Sequence, residues 1–485
     1  MKVKFQIMAI NDQSILELNP WWGDPSAIQR DPYLVELERL PLRWEPPVLE
    51  AVETGTRRVH TLRGPRQVGK STTMKLLVRR LLEAGERRVL YYAFDLARDN
   101  RDIGDVIRRA RSLHPDPHGP WFLFLDEVTT MEDWQLGVKY VIDNGPARDD
   151  FFLCTGSSAR EVGGELLPGR RGKGRDYLQL PISFRDFCMV AMGIELPEET
   201  ISPSRIPTED GYRLVRTLHL QREELDRAWR AYLQVGGFPA AVTDHLAHGA
   251  VSPETVQMLW SIVASDIRRA GRDDIAGLKL VERVGRSLGT PLAWKSLAAD
   301  MDVSHPTARE YVQLLSESFL LLVFFFWDLS RRGLSASKQR KVYYVDPLMD
   351  AIPGTMMSAV RRASPDALRE NLVGVGLFRS ATDRLVQSDP VAGSVGYWKS
   401  QGGHEIDFLL PSVEDDPGST RFPIEVKGDD QRSIAYARTS MRRVFGRGLV
   451  VTRSLFDLED DIPAIPEAVF LAGLPEHPLR NPPGQ

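Results

Sequence analysis

Gly64-Pro65-Arg66-Gln67-Val68-Gly69-Lys70-Ser71 decides the fold class of this chain. It matches G-x-x-x-x-G-K-[ST] at every position and lies between an apolar strand expected over Arg58–Arg63 and a helix expected over Thr72–Leu82. Met74, Leu76, Leu77, Leu81 and Leu82 mark the apolar side of that helix. In such a setting glycines let backbone N–H groups curl around phosphates, and the helix N-terminus favours negative charge at the same point. Lys70 is placed to reach the β- and γ-phosphates and the Ser71 hydroxyl to bind Mg2+. Residues Gly64 to Thr72 are therefore the expected ATP-binding loop.

Working outward, short apolar strands are expected at Val89–Asp95, Trp121–Leu125, Phe151–Thr155 and Tyr177–Leu180, with helical patterns between several of them. That alternation predicts a parallel sheet. The third strand runs into Asp126-Glu127. An apolar strand ending in two acids, one strand beyond the phosphate loop, supplies the second half of a hydrolytic site. Asp126 is expected to hold Mg2+ through water and Glu127 to polarise the attacking water. The next strand delivers Thr155-Gly156-Ser157-Ser158 to the same carboxyl edge, where ligands bind in open α/β sheets. Ser157 is the side chain expected to orient the water or touch the γ-phosphate, with a plain strand-end turn as the alternative. Gly169-Arg170-Arg171-Gly172-Lys173-Gly174-Arg175 is a basic loop. Arg170 is its candidate arginine finger on a neighbouring subunit, which would make a homo-oligomer. A solvated loop or a nucleic-acid contact remains equally open there.

The whole chain has 485 residues, room for about three domains. Hydrophobic residues make up 42% and charged ones 26%, which excludes a disordered or fibrous chain. Lys plus Arg total 62 against 66 acids, so any nucleic-acid contact must come from local patches rather than a uniformly basic coat. Cys154 and Cys188 are the only cysteines, too few for a disulfide scaffold or a cysteine-rich zinc site. The longest apolar run, Phe319–Trp327, has nine residues against the ~20 of a spanning helix, so no membrane partner is expected. Gln6 and Asn11-Asp12 break up the segment after Lys2 and Lys4, which argues against a secretory signal and for the cytoplasm.

The expected division is an N-terminal arm over 1–45, a P-loop domain over 46–190, a helical lid over 191–275, a winged helix over 276–350 and a small α/β domain over 351–485. The winged-helix expectation comes from Trp294–Met301, a turn at Asp302–Ser304 and Pro306–Glu317, followed by strands Leu320–Trp327 and Lys341–Val345. Ser304 is the natural N-cap, and Arg331, Arg332, Lys338, Arg340 and Lys341 form an acid-free wing. His305, Thr307 and Arg309 would then face a DNA major groove while the wing neutralises phosphates. A protein–protein joint is the alternative use of the same module.

Two resemblances follow from these residues. The phosphate loop, the Asp126-Glu127 strand, the polar strand after it and a helical lid in series resemble the AAA+ ATPases. The runs Thr155-Gly156-Ser157-Ser158, Leu180-Pro181-Ile182-Ser183-Phe184-Arg185-Asp186-Phe187 and Gly236-Gly237-Phe238-Pro239 resemble a narrower group, the prokaryotic AAA+ ATPases with a C-terminal nuclease-like domain of unknown function. That resemblance covers nearly all of the chain from residue 50 and implies an ATPase fold without a pathway.

A second cluster lies near the C-terminus. Strands Gly396–Lys399 and Glu405–Leu410 are followed by Phe422–Lys427, where Glu425 and Lys427 share one strand face. Asp407 on the neighbouring strand can meet them, giving Asp…Glu-x-Lys, with Glu370 on the preceding helix as a further acid. The set resembles the PD-(D/E)xK nuclease fold. The resemblance implies Asp407 and Glu425 as Mg2+ or Mn2+ ligands, Lys427 as the group that steers or deprotonates water, and a restriction-endonuclease-like α/β domain. It equally implies that such domains are often catalytically silent in this ATPase group. The expected activity is ATP hydrolysis coupled to DNA; the alternative is a nucleotide-gated scaffold whose C-terminal domain binds proteins.

Overall fold

The computed structural model describes residues 10–55, 57–95, 97, 99–156, 174–358, 360–381, 395–400, 402–410 and 421–476. They separate into two compact units, residues 10–40 with 45–179, and residues 41–44 with 180–476. No helix among the described residues is long and apolar enough to cross a membrane.

The first unit is built on five parallel strands: β1 (Val59–Arg63), β2 (Val89–Ala93), β3 (Phe122–Asp126), β4 (Phe151–Gly156) and β5 (Asp176–Leu178). Their order is β2-β3-β4-β1-β5, so β4 lies between the strand that feeds the phosphate loop and the strand that ends in Asp126. Helices cover both faces. Met74, Leu77, Val78 and Leu81 of α1 (Lys70–Glu83) pack on Leu62, Phe124 and Leu153, while Ile103, Val106, Val138 and Val141 pack on Leu90, Leu123 and Leu125. Burial on both faces explains why these strands read as continuous apolar runs.

The N-terminal segment covers the edge strand β2. The Asn19 side chain accepts the Tyr91 N–H (2.7 Å) and donates to the Tyr91 carbonyl (3.0 Å), as a strand would. Both indole N–H groups, of Trp21 and Trp22, donate to the Val89 carbonyl. The aperiodic tryptophan pair thus serves packing and protects a sheet edge.

In the second unit, five helices between Glu209 and Ser287 lead to α2 (Trp294–Met301) and α3 (His305–Glu317). Ser304 caps α3 by accepting the Thr307 N–H (3.3 Å), and the turn before it passes through Asp302 at φ +58°. Seven strands follow: β6 (Leu321–Asp328), β7 (Gly333–Tyr344), β8 (Gly396–Lys399), β9 (Glu405–Leu410), β10 (Phe422–Lys427), β11 (Leu449–Thr452) and β12 (Ala464–Pro466). They form one mixed sheet in the order β12-β11-β10-β9-β8-β6-β7. The β6–β7 hairpin pairs in parallel with β8 through Phe325–Gly396 and Phe326–Tyr397. One sheet therefore runs through both segments that the sequence divides at 350/351.

Two of the singled-out motifs meet in this unit. Ile182 N–H donates to the Gly237 carbonyl (2.6 Å), and Gly237 N–H donates to the buried Asp346 carboxylate (2.7 Å). A Cβ on Gly237 would lie 1.9 Å from the Ile182 carbonyl oxygen, so no side chain fits. Gly249 has a positive φ, at +78°, but nothing lies within 4 Å of its would-be Cβ. Gly237→Ala is expected to cost about 3 kcal/mol or more, against about 1 kcal/mol for Gly249→Ala. Denaturant unfolding of the two variants measures the difference, and equal losses would remove this joint as a constraint on the unit.

Candidate functional site

The phosphate loop is shaped by three left-handed residues: Gly64 (φ +147°), Gln67 (φ +64°) and Gly69 (φ +87°). A Cβ at Gly64 would lie 1.9 Å from the Gln179 carbonyl oxygen, which reserves that position for glycine. Gln179, just past β5, also donates from its side-chain amide to the Val68 carbonyl (2.5 Å) and accepts the Thr73 hydroxyl (2.9 Å). It staples the loop to the first turn of α1. Lys70 is 5% exposed, and its ammonium donates to the Gly64 (3.0 Å) and Pro65 (2.8 Å) carbonyls at the loop's mouth. Ser71 and Thr72 are half-buried in the opening turn of the helix. The helix begins at Lys70, so both groups expected to meet phosphate and Mg2+ are carried on its N-terminus.

Two strands away, Asp126 is 2% exposed and has both carboxylate oxygens occupied. Oδ1 takes the Thr155 hydroxyl and the Glu127 N–H, and Oδ2 takes the Tyr91 hydroxyl at 2.7 Å. Thr155 Oγ1 in turn accepts the Glu127 N–H (2.9 Å). Glu127 stands at φ +49°, a backbone cost tolerated where the surroundings over-determine it. Its Oε2 is buried and has no hydrogen-bond partner among the described residues. Burial pushes the Glu127 carboxyl above the ordinary glutamate range, and the nearby Lys70 charge pulls the other way. Behind Tyr91 lies a buried charge: the Lys75 ammonium sits 3.6 Å from the centre of its ring and 2.9 Å from Asp31.

The glycine-rich loop, Lys70, Asp126 and Glu127 thus lie at one edge of the sheet. Residues 56–188 match the family model of an AAA domain. Residues 226–349 match a model described only as a domain of unknown function (DUF8612), a stretch that spans the expected 275/276 boundary. No curated protein matches the chain. Among solved structures it is similar to the Thermotoga maritima RuvB Holliday junction branch migration motor, at 15% identity over 54% of this chain and 81% of that one, TM-score 0.23. Aeropyrum pernix Orc1 in complex with DNA shares 15% identity over 77% of this chain and 95% of that one, TM-score 0.26. Pyrobaculum aerophilum Cdc6p shares 14% over 64% and 88%, TM-score 0.23.

Within residues 56–188 the groups fit a Mg2+-nucleotide: an ammonium parked on loop carbonyls, a hydroxyl on the helix N-terminus, and a buried glutamate oxygen without a partner among the described residues. Ser157 and Arg170 lie outside the described residues. Thr155, near the end of β4, reaches both acids, Tyr91 reaches Asp126 and Gln179 holds the phosphate loop; neither Tyr91 nor Gln179 belongs to any motif. Only the apolar-to-polar break at Thr155 marked that strand end in advance.

The second cluster assembles as well. Antiparallel β9 and β10 put Asp407 beside Glu425 and Lys427. Asp407 Oδ2 accepts the Val426 N–H (2.9 Å) and lies 3.4 Å from Lys427 Nζ, which is 2.7 Å from Glu425 Oε2. Glu370 reaches it from α4 (Pro365–Ala381). The centre of the group is Lys341, which is fully buried. Its Nζ lies 2.7 Å from Glu405, 3.3 Å from Glu370 and 3.5 Å from Asp407. This corrects the placement of Lys341 among solvent-facing wing cations. Strand alternation turns Arg340 the other way, its guanidinium 4.4 Å from the Phe325 ring centre.

Burial raises the Glu425 carboxyl to about 7 against the pull of Lys427, and burial with the Asp407 charge raises Glu370. Burial works against ionised Asp407 too, but Lys341 and Lys427 outweigh it and hold that carboxyl below its usual range. Four carboxylates, Glu370, Glu405, Asp407 and Glu425, meet three ammoniums, those of Lys341, Lys427 and the exposed Lys399, whose Nζ lies 3.1 Å from Glu405. Among the described residues, however, no three His, Cys, Asp or Glu side chains converge to hold a metal. Lys341 and Lys427 stand between the acids instead, so the cluster lacks the arrangement of a divalent-ion site.

Tyr91 contacts Asp126 and nothing that phosphate would touch. Tyr91→Phe is therefore expected to lower Mg2+·ATP turnover several-fold, with a raised Mg2+ requirement and nucleotide retention unchanged. Turnover measured across Mg2+ concentrations checks it, and an unshifted Mg2+ profile would leave Tyr91 as packing only.

Proposed function

We propose that this chain is an AAA+ ATPase that hydrolyses Mg2+·ATP in its first unit and couples the cycle to DNA engaged by its second. The observation that carries it is the buried Glu127 Oε2, without a hydrogen-bond partner among the described residues, with Thr155 fixing the Glu127 backbone. The loop amides of Gly64–Thr72 and the Lys70 ammonium bind the phosphates, and the Ser71 hydroxyl with Asp126 holds Mg2+. Held there, Mg2+ would supply neutralisation of phosphate charge. Glu127 accepts a hydrogen bond from the attacking water and orients it in line. Ser157 is the proposed γ-phosphate sensor, and Arg170 the finger that a second copy of the chain lends to the site.

In the same proposal residues 191–275 act as the lid, 276–350 as a DNA-contacting winged helix through His305, Thr307 and Arg309, and 351–485 as the nuclease-like domain. Glu127→Gln is expected to cut turnover at least about 100-fold while ATP is retained. Lys70→Ala should abolish retention. Hydrolysis needs the Glu127 carboxylate and burial has raised its pKa, so turnover should fail on acidification at a pH above the ordinary glutamate value of 4.5. Full turnover in Glu127→Gln would sink the assigned role.

One observation favours a second reading for the C-terminal part. With the buried Lys341 paired to Glu370, Glu405 and Asp407 at once, the cluster is equipped as a buried ionic core for a catalytically silent scaffold that binds protein partners. A Mg2+- or Mn2+-supplemented assay on linear and branched DNA separates the two. Cutting that disappears in Asp407→Ala and Lys427→Ala supports a nuclease; intact DNA under every condition supports the scaffold.

A further inference from the structure

Helix α5 (Gln431–Phe445), which follows β10, and the residues just beyond it hold Arg432, Arg438, Arg442, Arg443 and Arg447 without an acid from 431 to 447. In sequence these look like one cationic stretch. The structure sorts them. Arg438 pairs with Asp457 (2.8 Å), and Arg442 pairs with Asp460 (2.9 Å) and Asp461, so both charges are spent within the unit. Arg432 and Arg443 are exposed and form no side-chain ion pair among the described residues. At helical spacing they share one face with Tyr436 and Thr439.

Tyr436 is 61% exposed. It is nevertheless anchored, since its ring meets His404 edge-on with centroids 5.2 Å apart. His404 meets Trp398 in the same manner (6.2 Å), and Trp398 meets Phe445 (5.9 Å). His404 also ties the tyrosine to the carboxylate–lysine cluster, because its Nε2 lies 3.7 Å from Glu425 Oε1. A fixed aromatic ring with an open face, set between two unpaired guanidiniums on an acid-free helix, matches what single strands offer: a base plane and flanking phosphates. A duplex keeps its base planes stacked and cannot use the ring. Arg432 and Arg443 are separated by roughly 16 Å along the helix at 1.5 Å per residue, with the tyrosine between them.

We propose that this face of α5 binds single-stranded nucleic acid, stacking one base on Tyr436 and holding the adjoining phosphates with Arg432 and Arg443 beside the cluster. It rests on the reading that the second unit engages DNA, and it names the form engaged.

The test is fluorescence anisotropy of the full chain with labelled oligothymidylate and with a duplex of equal length, over a series of salt concentrations. The single strand is expected to bind more tightly than the duplex. Tyr436→Ala should weaken the single strand about 10-fold, Tyr436→Phe should retain affinity, and duplex binding should not respond to either. Arg432→Ala and Arg443→Ala should each flatten the slope of log affinity against log salt by about 0.7 for the single strand. Unfolding midpoints establish that each variant is folded. Unchanged oligothymidylate binding in Tyr436→Ala, or equal losses in the Ala and Phe variants, would overturn the proposal while DNA engagement stood. Preference for a polyglutamate peptide over the oligonucleotide would overturn it in favour of an acidic protein segment. Binding of neither nucleic acid would sink the DNA reading itself.

Discussion

The carboxylate of Asp126 is a charge buried at the edge of a parallel sheet, and everything at the nucleotide edge is arranged to satisfy it. A buried ionised group must be hydrogen-bonded or paired, or it neutralises. Here the donors come from both neighbouring strands, Tyr91 from β2 and Thr155 from β4. Thr155 and Asp126 also accept the N–H of the next residue, Glu127, which has a left-handed backbone and one oxygen without a hydrogen-bond partner among the described residues. Fixing one acid thus poises the other. The strand order makes this possible, because β4 must lie between β1 and β3 for Thr155 to reach across.

The two units solve the same electrostatic problem differently. In the first, the phosphate loop keeps its cation at the mouth, donating to two backbone carbonyls that a phosphate can replace. In the second, Lys341 is sealed among carboxylates with no exposure at all. Breaking such a pair strands an uncompensated charge, whereas exchanging a carbonyl contact for a phosphate costs little. One arrangement suits a ligand that comes and goes, and the other suits a permanent structural element. The same ammonium ties the β6–β7 hairpin to β9, which carries Glu405 and Asp407.

Much of the AAA domain was legible because its signals are local. Glycine at positive φ, an apolar strand ending in acids and an amphipathic helix are each written within about a dozen residues. Tyr91 and Gln179 were not legible, since each acts through a partner on another strand or loop and neither residue type is distinctive in its position. The C-terminal acids and Lys427 were readable from strand alternation, which puts Glu425 and Lys427 on one face. Lys341 was misplaced because a basic run in sequence gives no hint of which members turn inward. The arginines of α5 divide for the same reason: Asp457, Asp460 and Asp461, which neutralise two of them, lie beyond the next strand.

By itself, then, the sequence determined that a phosphate-binding loop opens a helix, that two acids end a buried strand, and that acids and a lysine recur near the C-terminus. These follow from backbone geometry and periodicities of two and 3.6, which act over short range. Only the tertiary structure decided which charges are spent internally and which face outward, and that the hairpin joins the C-terminal sheet. Charge compensation and strand pairing depend on distance in space, and residues dozens of positions apart supply the partners.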